Sequence, residues 1–286
     1  MIQHPDMSMV NELKKLWIEC FPGDEEYCEM FFNEYFTVDR CLIVKNSSAI
    51  ESALYTFDAI THTDDSDIPS LYLYAISTFA KYRGIGNAGK LIEYVKKYCA
   101  DNKINCIYLK AADTINGFYE KFGFKDTFYL NRYICLPSDD EYKLKFENCL
   151  FDDFQKMRNE YLSLLKYSII WPPETLTFMY KEICSYGEII KFSIDSHDYY
   201  AVISMPDDML IIRESNLPPE YYQHLINCVA SYFNWEKELI IHSSYNLVPY
   251  LKNIISADKK YIGHSYLVLN STNILQHYYY INLVAE

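Results

Sequence analysis

The chain has 286 residues, of which 50% are hydrophobic and 23% are charged, so its composition is that of a globular protein and not of a disordered one. Its net charge of -13 and its lack of a Lys/Arg cluster argue against a nucleic-acid partner, because a phosphate backbone requires clustered positive charge. The nine cysteines include no C-x-x-C pair, which argues against a disulfide framework and a zinc site, so we expect no metal.

The N-terminal stretch MIQHPDMSMVNELKK lacks the basic and then apolar pattern of a signal peptide. No apolar run approaches the length that spans a bilayer. These observations predict a cytoplasmic protein with no membrane partner.

Hydrophobic periodicity predicts two helices in the first part of the chain, then an antiparallel meander of three strands, and then alternating strands and helices. The predicted helices cover residues 10–21, 25–36, 87–103 and 114–122, and the predicted strands cover residues 40–46, 49–60, 70–79 and 104–111. Residues 123–136 are predicted to form one closing strand or a pair of strands. In the third helix, helical spacing places Leu91 and Tyr98 in the core. Between them it favours Tyr94 or Val95.

The second half of the chain reads as a divergent copy of the first. A polar stretch at 137–145 is predicted to link a domain at 1–136 to a domain at 146–286. The predicted helices here cover residues 154–168, 173–187 and 218–234, and the predicted strands cover residues 188–195, 199–206, 209–215 and 237–245. Where the first half has a glycine-rich stretch, the second has RESNLPPE, which lacks glycine and carries negative charge. That is a poor site for a diphosphate.

The glycine-rich stretch YRGIGNAGKL fits two phosphate-binding patterns. Gly84, Gly86 and Gly89 fit G-x-G-x-x-G, and Lys90 nearly completes a nucleoside-triphosphate loop. The triphosphate pattern needs Ser or Thr after the lysine, but Leu91 stands there. A dinucleotide fold needs its glycines directly after a parallel strand, whereas the strands upstream look antiparallel. A tight turn before a core helix is the remaining interpretation.

Neighbouring motifs decide between these interpretations. Arg83, Gly86 and Ala88 form the pattern R-x-x-G-x-A, which follows AISTFAKY and precedes NGFYEKFGF. This combination resembles the GNAT acetyltransferase superfamily, over roughly residues 10–135. The resemblance implies an α/β (α+β) fold, with a mixed sheet flanked by helices, followed by a second, degenerate GNAT-like domain.

The resemblance also implies acetyl-CoA as co-substrate. Backbone N–H groups from Gly84 to Gly89 would wrap its diphosphate, and the strand edge would pair with its pantetheine arm. The implied cofactor-binding residues are Ile76, Ser77, Thr78, Arg83, Gly84, Ile85, Gly86, Asn87, Ala88 and Gly89. Lys90 is then a solvated helix residue.

In this family the acceptor amine attacks the thioester directly, so no protein nucleophile is needed. Tyr119 matches the family tyrosine that protonates the departing thiolate. The general base is unassigned. Glu51, Asp58 and His62 are candidates that also fit solvated strand edges, and the C-terminal carboxylate of Glu286 is a further candidate. Asp113 is a candidate cap for the short helix that carries Tyr119.

Two functional classes are compatible with these motifs. The first is an N-acetyltransferase acting on a small-molecule or peptide amine, and the second is an inactive coenzyme-A-binding sensor with the same fold. The second half is expected to bind no coenzyme A and to shape the acceptor site or mediate homo-oligomerisation. A folded chain that lacks residues 146–286 is expected to keep its affinity for acetyl-CoA.

Overall fold

The computed structural model divides the chain into two compact units, each built from segments that are distant in sequence. Unit one contains Met1–Thr127, Ile170–Phe178 and a segment that begins at Gly263, and unit two contains Phe128–Ile169 and Met179–Ile262. The structure describes residues 1–63, 65–111, 115, 117–140, 142–165 and 167–268.

Most of the helices and strands follow the predicted order. The helices are α1 (Val10–Cys20), α2 (Glu25–Glu34), α3 (Asn87–Asp101), α4 (Phe151–Leu164), α5 (Pro173–Tyr186) and α6 (Tyr222–Tyr232). The strands are β1 (Ile2–Gln3), β2 (Cys41–Lys45), β3 (Ile50–His62), β4 (Asp67–Thr78), β5 (Cys106–Leu109), β6 (Lys125–Cys135), β7 (Glu147–Asn148), β8 (Ser168–Ile170), β9 (Gly187–Ile194), β10 (His197–Ser204), β11 (Leu210–Ser215), β12 (Leu239–Ser243) and β13 (Ile254–Leu267). None of the helices in the described part of the chain is long and apolar enough to cross a membrane.

The sheet of unit one has the strand order β1-β2-β3-β4-β5-β13. Neighbouring strands are antiparallel except β4 and β5, which run parallel, so the sheet is mixed as predicted. Side chains alternate between the two faces of each strand. Leu54 and Leu73 lie on the face that packs against α3, and Tyr55 and Tyr74 lie on the face where Trp17 of α1 packs.

Helix α3 buries a different stripe from the one that the spacing predicts. Leu91 and Val95 are buried as predicted, together with Ile92 and Cys99. The predicted Tyr98 is 47% exposed, and Tyr94, for which Val95 is the alternative, is 41% exposed. Two adjacent apolar positions, 91 and 92, set the angle of the buried stripe, and this angle turns both tyrosines towards solvent.

In unit two the strands follow the order β6-β12-β11-β10-β9-β7, with a parallel pair at β11 and β12. Leu225 and Val229 of α6 pack on this sheet against Ile212 and Ile241. On β11, the fully buried Glu214 accepts hydrogen bonds from Arg158 and Tyr200, so this interior charge is paired.

Several features differ from the local sequence patterns, and the short strands β1, β7 and β8 are among them. Within the predicted short helix at 114–122, the described residues form a 3-10 turn at Tyr119–Phe122. The polar stretch at 137–145 is held to α6, because Asn227 accepts from the Ser138 N–H at 3.0 Å and donates to the Asp140 carbonyl at 2.9 Å. The final strand, β13, was not predicted.

Candidate active site

A cavity of about 620 Å³ lies at the end of β4, where the glycine-rich stretch meets the turn that carries Tyr119. All of its lining residues belong to unit one. They are Cys20, Phe21, Ile76, Ser77, Thr78, Tyr82, Arg83, Gly84, Gly86, Asn87, Ala88, Gly89, Ile115, Phe118 and Tyr119. This volume is within the usual range for small-molecule and cofactor sites.

The end of β4 is shaped by a bulge. Opposite β3, Ser77 pairs with Ala53 but Tyr74 pairs with Tyr55, so β4 carries one extra residue between these pairs. Ala75 lies there with φ of 44°, in the left-handed region that non-glycine residues seldom adopt. A bulge of this kind bends the strand and redirects its backbone groups.

Beyond the bulge, β4 has an open edge. Its parallel pairing with β5 extends from Ser70 to Leu73, whereas β4 itself continues to Thr78. Within the described residues, Ile76 to Thr78 therefore have no strand partner on the side of β4 that faces β5. An extended polar ligand can pair with such an edge as an added strand does.

The glycine-rich stretch makes a turn that requires glycine at two positions. Gly84 and Gly86 have φ of 81° and 83°, which a side chain would strain. Gly86 is followed directly by α3, whose first turn has no side-chain cap. The first backbone N–H groups of α3 are therefore available, and the positive end of the helix dipole lies at the same place. Together they form a site for an anion.

Positive charge surrounds this turn. Lys81, Arg83 and Lys90 lie in one stretch of ten residues, although the chain as a whole is acidic. All three side chains are exposed. The Arg83 Nε donates to the Thr78 carbonyl at 3.0 Å, which ties the turn to the end of β4. Lys90 is a solvated helix residue, as predicted, and its Nζ donates to the Asn87 side chain at 3.0 Å.

Gly89 allows α3 to pack closely against a neighbouring turn of the chain. A Cβ at this position would lie 2.8 Å from Cζ of Phe122, closer than real Cβ contacts allow. The absence of a side chain lets α3 approach the turn Tyr119–Phe122 closely. The glycine thereby helps to place Tyr119 beside the start of α3.

Tyr119 lines the cavity with little exposure. Its ring packs edge-on against Phe118 and Phe124, at centroid distances of 5.1 and 6.0 Å. Burial raises the pKa of its hydroxyl to about 12, since an apolar surrounding disfavours the phenolate. The side chain therefore remains a protonated donor at neutral pH.

The structure brings nearly all of the predicted site residues together. Tyr119 and nine of the ten predicted cofactor-binding residues line the cavity. Ile85 does not line the cavity, and it is 58% exposed.

The three candidate bases do not line the cavity in the described part of the chain. The Glu51 carboxylate accepts hydrogen bonds from two side-chain amides. Asp58 pairs with Arg40 at 3.3 Å, and His62 pairs with Asp67 at 2.8 Å. Two further candidates from the sequence, Asp113 as a helix cap and the C-terminal Glu286, lie outside the described residues.

Residues at the end of α1 also line the cavity, and no sequence motif pointed to them. The Cys20 thiol lies 3.5 Å from the Thr78 carbonyl and 3.6 Å from Nη2 of Arg83, and Phe21 follows it. The one sequence signal was the break after Phe21 at Pro22, because the loop after a helix end is a common place for site residues.

Comparison with known proteins finds a family match over the first part of the chain. Residues 2–126 match the family model described as an acetyltransferase (GNAT) domain. This part of the chain is therefore similar to a GNAT acetyltransferase domain, in agreement with the resemblance seen in its motifs. No curated protein matches the sequence significantly.

Solved structures share the fold over most of the chain. A probable N-acyltransferase from Enterococcus faecalis is 13% identical, with a TM-score of 0.76, and the match covers 94% of this chain and 72% of that one. A GCN5-related N-acetyltransferase from Anabaena variabilis is 15% identical, with a TM-score of 0.76 and coverages of 94% and 73%. Eis1 from Mycobacterium abscessus is 9% identical, with a TM-score of 0.67 and coverages of 94% and 74%. These likenesses confirm the predicted α/β fold class.

Proposed function

We propose that this protein is an N-acetyltransferase that moves an acetyl group from acetyl-CoA to an amine of an acceptor. One observation carries the proposal: a single cavity is lined by the anion-binding turn, the open edge of β4 and the buried phenol of Tyr119. An anionic end, an extended polar arm and a thiolate leaving group are the features of an acyl-CoA that match these three parts.

Each part of the cavity has a distinct role in this proposal. N–H groups at Gly84 to Gly89 hold the diphosphate, with Lys81 and Arg83 nearby as counter-charges. The β4 edge from Ile76 to Thr78 pairs with the pantetheine arm. When bound, acetyl-CoA supplies an activated acetyl group as a thioester. The Tyr119 hydroxyl donates its proton to the departing sulfur.

The acceptor must lose a proton before it attacks. A free alkylammonium has a pKa of about 10.4, so only a small fraction is uncharged at neutral pH. Among the described lining residues there is no carboxylate and no imidazole to accept this proton. Water is therefore the proposed proton acceptor in this site.

A turnover assay tests this proposal. The protein is mixed with acetyl-CoA and a panel of small and peptide amines, and free thiol is measured with a chromogenic disulfide. We expect amine-dependent thiol release that saturates with acetyl-CoA. Binding of acetyl-CoA without thiol release for any amine of the panel would contradict the proposed enzymatic activity.

The lack of a base in the described lining favours a second candidate, a coenzyme-A-binding sensor without catalysis. Such a protein would bind acetyl-CoA and coenzyme A through the same turn and edge. It would show ligand binding by calorimetry and no thiol release with any amine. The two candidates therefore predict the same binding and different turnover.

Unit two is proposed to bind no coenzyme A. The segment that corresponds to the glycine-rich turn contains Glu214, which is buried in its pair with Arg158, and then Pro218 and Pro219. Neither proline has a backbone N–H to offer an anion. Unit two remains a proposed determinant of acceptor choice or of self-association.

A further inference from the structure

Glu51, at the start of β3, makes contacts that neither a catalytic base nor a solvated strand residue needs. Its Oε1 accepts a hydrogen bond from the Asn46 side-chain amide at 2.8 Å, and its Oε2 accepts one from the Asn87 side-chain amide at 2.8 Å. Its backbone carbonyl accepts from the Phe79 N–H at 3.1 Å, just after β4 ends. The residue thus links β3 to both ends of the segment that forms the anion-binding turn.

Asn87 is the first residue of α3, and it lies between Glu51 and a lysine. The residue is 2% exposed. Its Nδ2 donates to Glu51 while its Oδ1 accepts from Lys90 Nζ at 3.0 Å, so both ends of the amide are used. Because Gly86 precedes it in the left-handed conformation, the Asn87 side chain is an anchor for a turn that glycine leaves free.

The partner on the other side of Glu51 is equally fixed. Oδ1 of Asn46 accepts from the N–H groups of Ser48 and Ala49, at 2.8 and 3.0 Å, in the turn between β2 and β3. That arrangement leaves the Asn46 Nδ2 facing Glu51. Both oxygens of Glu51 therefore face N–H donors, and only a carboxylate satisfies both donors. A glutamine would turn its own NH₂ towards one of them.

From this geometry we propose that Glu51 is a positioning residue for acyl-CoA binding. It holds Asn87 so that the N–H groups of the Gly84–Gly89 turn are fixed before the ligand arrives. The inference rests on the proposed function. It goes beyond the motif, because Glu51 lies on a different strand and does not line the cavity.

Electrostatics and positioning predict opposite results for a Glu51→Gln variant. Removing a negative charge near an anion site should strengthen the binding of an anion if charge alone matters. If Glu51 positions the turn, the same variant should bind more weakly, since a hydrogen bond is lost and two donors face each other. In the variant, part of the free energy of ligand binding would then be used to order the turn, which weakens the observed affinity.

The experiment measures acetyl-CoA affinity by calorimetry for the unaltered protein and for the variants Glu51→Gln and Glu93→Gln. Glu93 provides a matched control, because it loses the same charge on the exposed face of α3, where it pairs with Lys96 at 3.0 Å. We expect affinity to fall about tenfold in Glu51→Gln, which is the effect of about 1.4 kcal/mol. Glu93→Gln should stay within about twofold of the unaltered protein.

Hydrogen exchange of the ligand-free proteins provides a readout that does not depend on turnover. In Glu51→Gln, amides of the segment 84–90 should exchange faster, while those of β3 and β4 stay unchanged. Unchanged or tighter acetyl-CoA binding by Glu51→Gln would overturn the inference, and so would faster exchange spread over β3 and β4, which indicates a structural role alone. If the unaltered protein does not bind acetyl-CoA, the proposed function fails, and the exchange data still decide whether Glu51 orders the turn.

Discussion

At the scale of single residues, Tyr119 is the side chain with the clearest chemical role. Tyr119→Phe keeps the ring that packs against Phe118 and Phe124 and removes only the proton donor. We expect kcat for acetylation of an amine to fall about 100-fold, with the acetyl-CoA affinity little changed. Steady-state kinetics and calorimetry on the same preparation measure both. An unchanged kcat would show that the phenol is not the acid.

The pH dependence of the rate follows from the same residue. The pKa of Tyr119 is raised by burial to about 12, so the phenol is protonated from neutral pH to beyond about pH 10. The acceptor amine loses its proton in that window. We therefore expect the rate at subsaturating amine to rise with pH up to the acceptor's pKa, without a falling limb from Tyr119. A fall between about pH 8 and pH 10 in a protein that remains folded would contradict this.

Cysteine accessibility tests the position of the cavity. Cys20 lines it and is partly exposed, and Cys184 is exposed, whereas the other seven cysteines are buried. Burial also raises the pKa of Cys99 and Cys135 to about 12, which keeps these thiols unreactive. Alkylation followed by mass spectrometry should label Cys20 and Cys184 first. Acetyl-CoA should protect Cys20 alone, and equal labelling of Cys20 with and without ligand would contradict the proposed site.

At the scale of elements, the approach of α3 to the turn of Tyr119 depends on Gly89. Gly89→Ala gains helix propensity worth about 1 kcal/mol but forces Phe122 to move, which costs about 1–3 kcal/mol. We expect the change in the free energy of unfolding caused by Gly89→Ala to be more favourable by about 1 kcal/mol in a Phe122→Leu variant than in the unaltered protein. Denaturant unfolding of the four proteins measures this coupling. Additive effects of the two substitutions on the free energy of unfolding would contradict a contact between positions 89 and 122.

Much of the site could be predicted from the sequence because its parts are local. The R-x-x-G-x-A motif and Tyr119 lie within short segments whose chemistry can be read directly, and the structure puts them on one cavity. The bulge at Ala75 could not be predicted, because it depends on how β4 pairs with β3. The contact of Glu51 with Asn87 could not be predicted either, since 36 residues separate the two.

Helix α3 shows a second limit of local patterns. Spacing alone favours Tyr98 for its core, and Tyr94 with Val95 as the alternative, but both tyrosines are exposed. Aromatic residues with polar tips satisfy an apolar pattern equally well in the core and at the surface. The neighbouring sheet selects Ile92 and Cys99 instead.

At the scale of the whole molecule, unit one includes segments from the second half of the chain. Phe178 packs against Phe31 and Tyr35, at 5.8 and 5.2 Å between ring centroids. Glu174 pairs with Arg40 at 2.7 Å. The segment from Gly263 pairs with β5. Local sequence patterns do not show that segments from the second half of the chain pack into the core of unit one, so these contacts could not be predicted from the sequence.

This organisation alters what a truncation should do. A chain that ends at residue 145 lacks the segments 170–178 and 263–267, so β5 loses a neighbouring strand and the aromatic core loses Phe178. We expect this chain to show a much lower thermal midpoint than the full protein, or no cooperative transition, by circular dichroism. A truncated chain with an unchanged midpoint and full acetyl-CoA affinity would show that the first 145 residues are self-sufficient.

The glycine-rich turn and its cavity are proposed to bind acetyl-CoA, and a thermal-shift measurement tests this binding most directly. The purified protein is heated with acetyl-CoA, NAD or magnesium-ATP in parallel. A ligand at about a hundred times its Kd adds about 2.7 kcal/mol of stability, which gives a clear rise in the midpoint. We predict a rise with acetyl-CoA alone. A rise with NAD or magnesium-ATP, and none with acetyl-CoA, would contradict the assignment of the turn to coenzyme A.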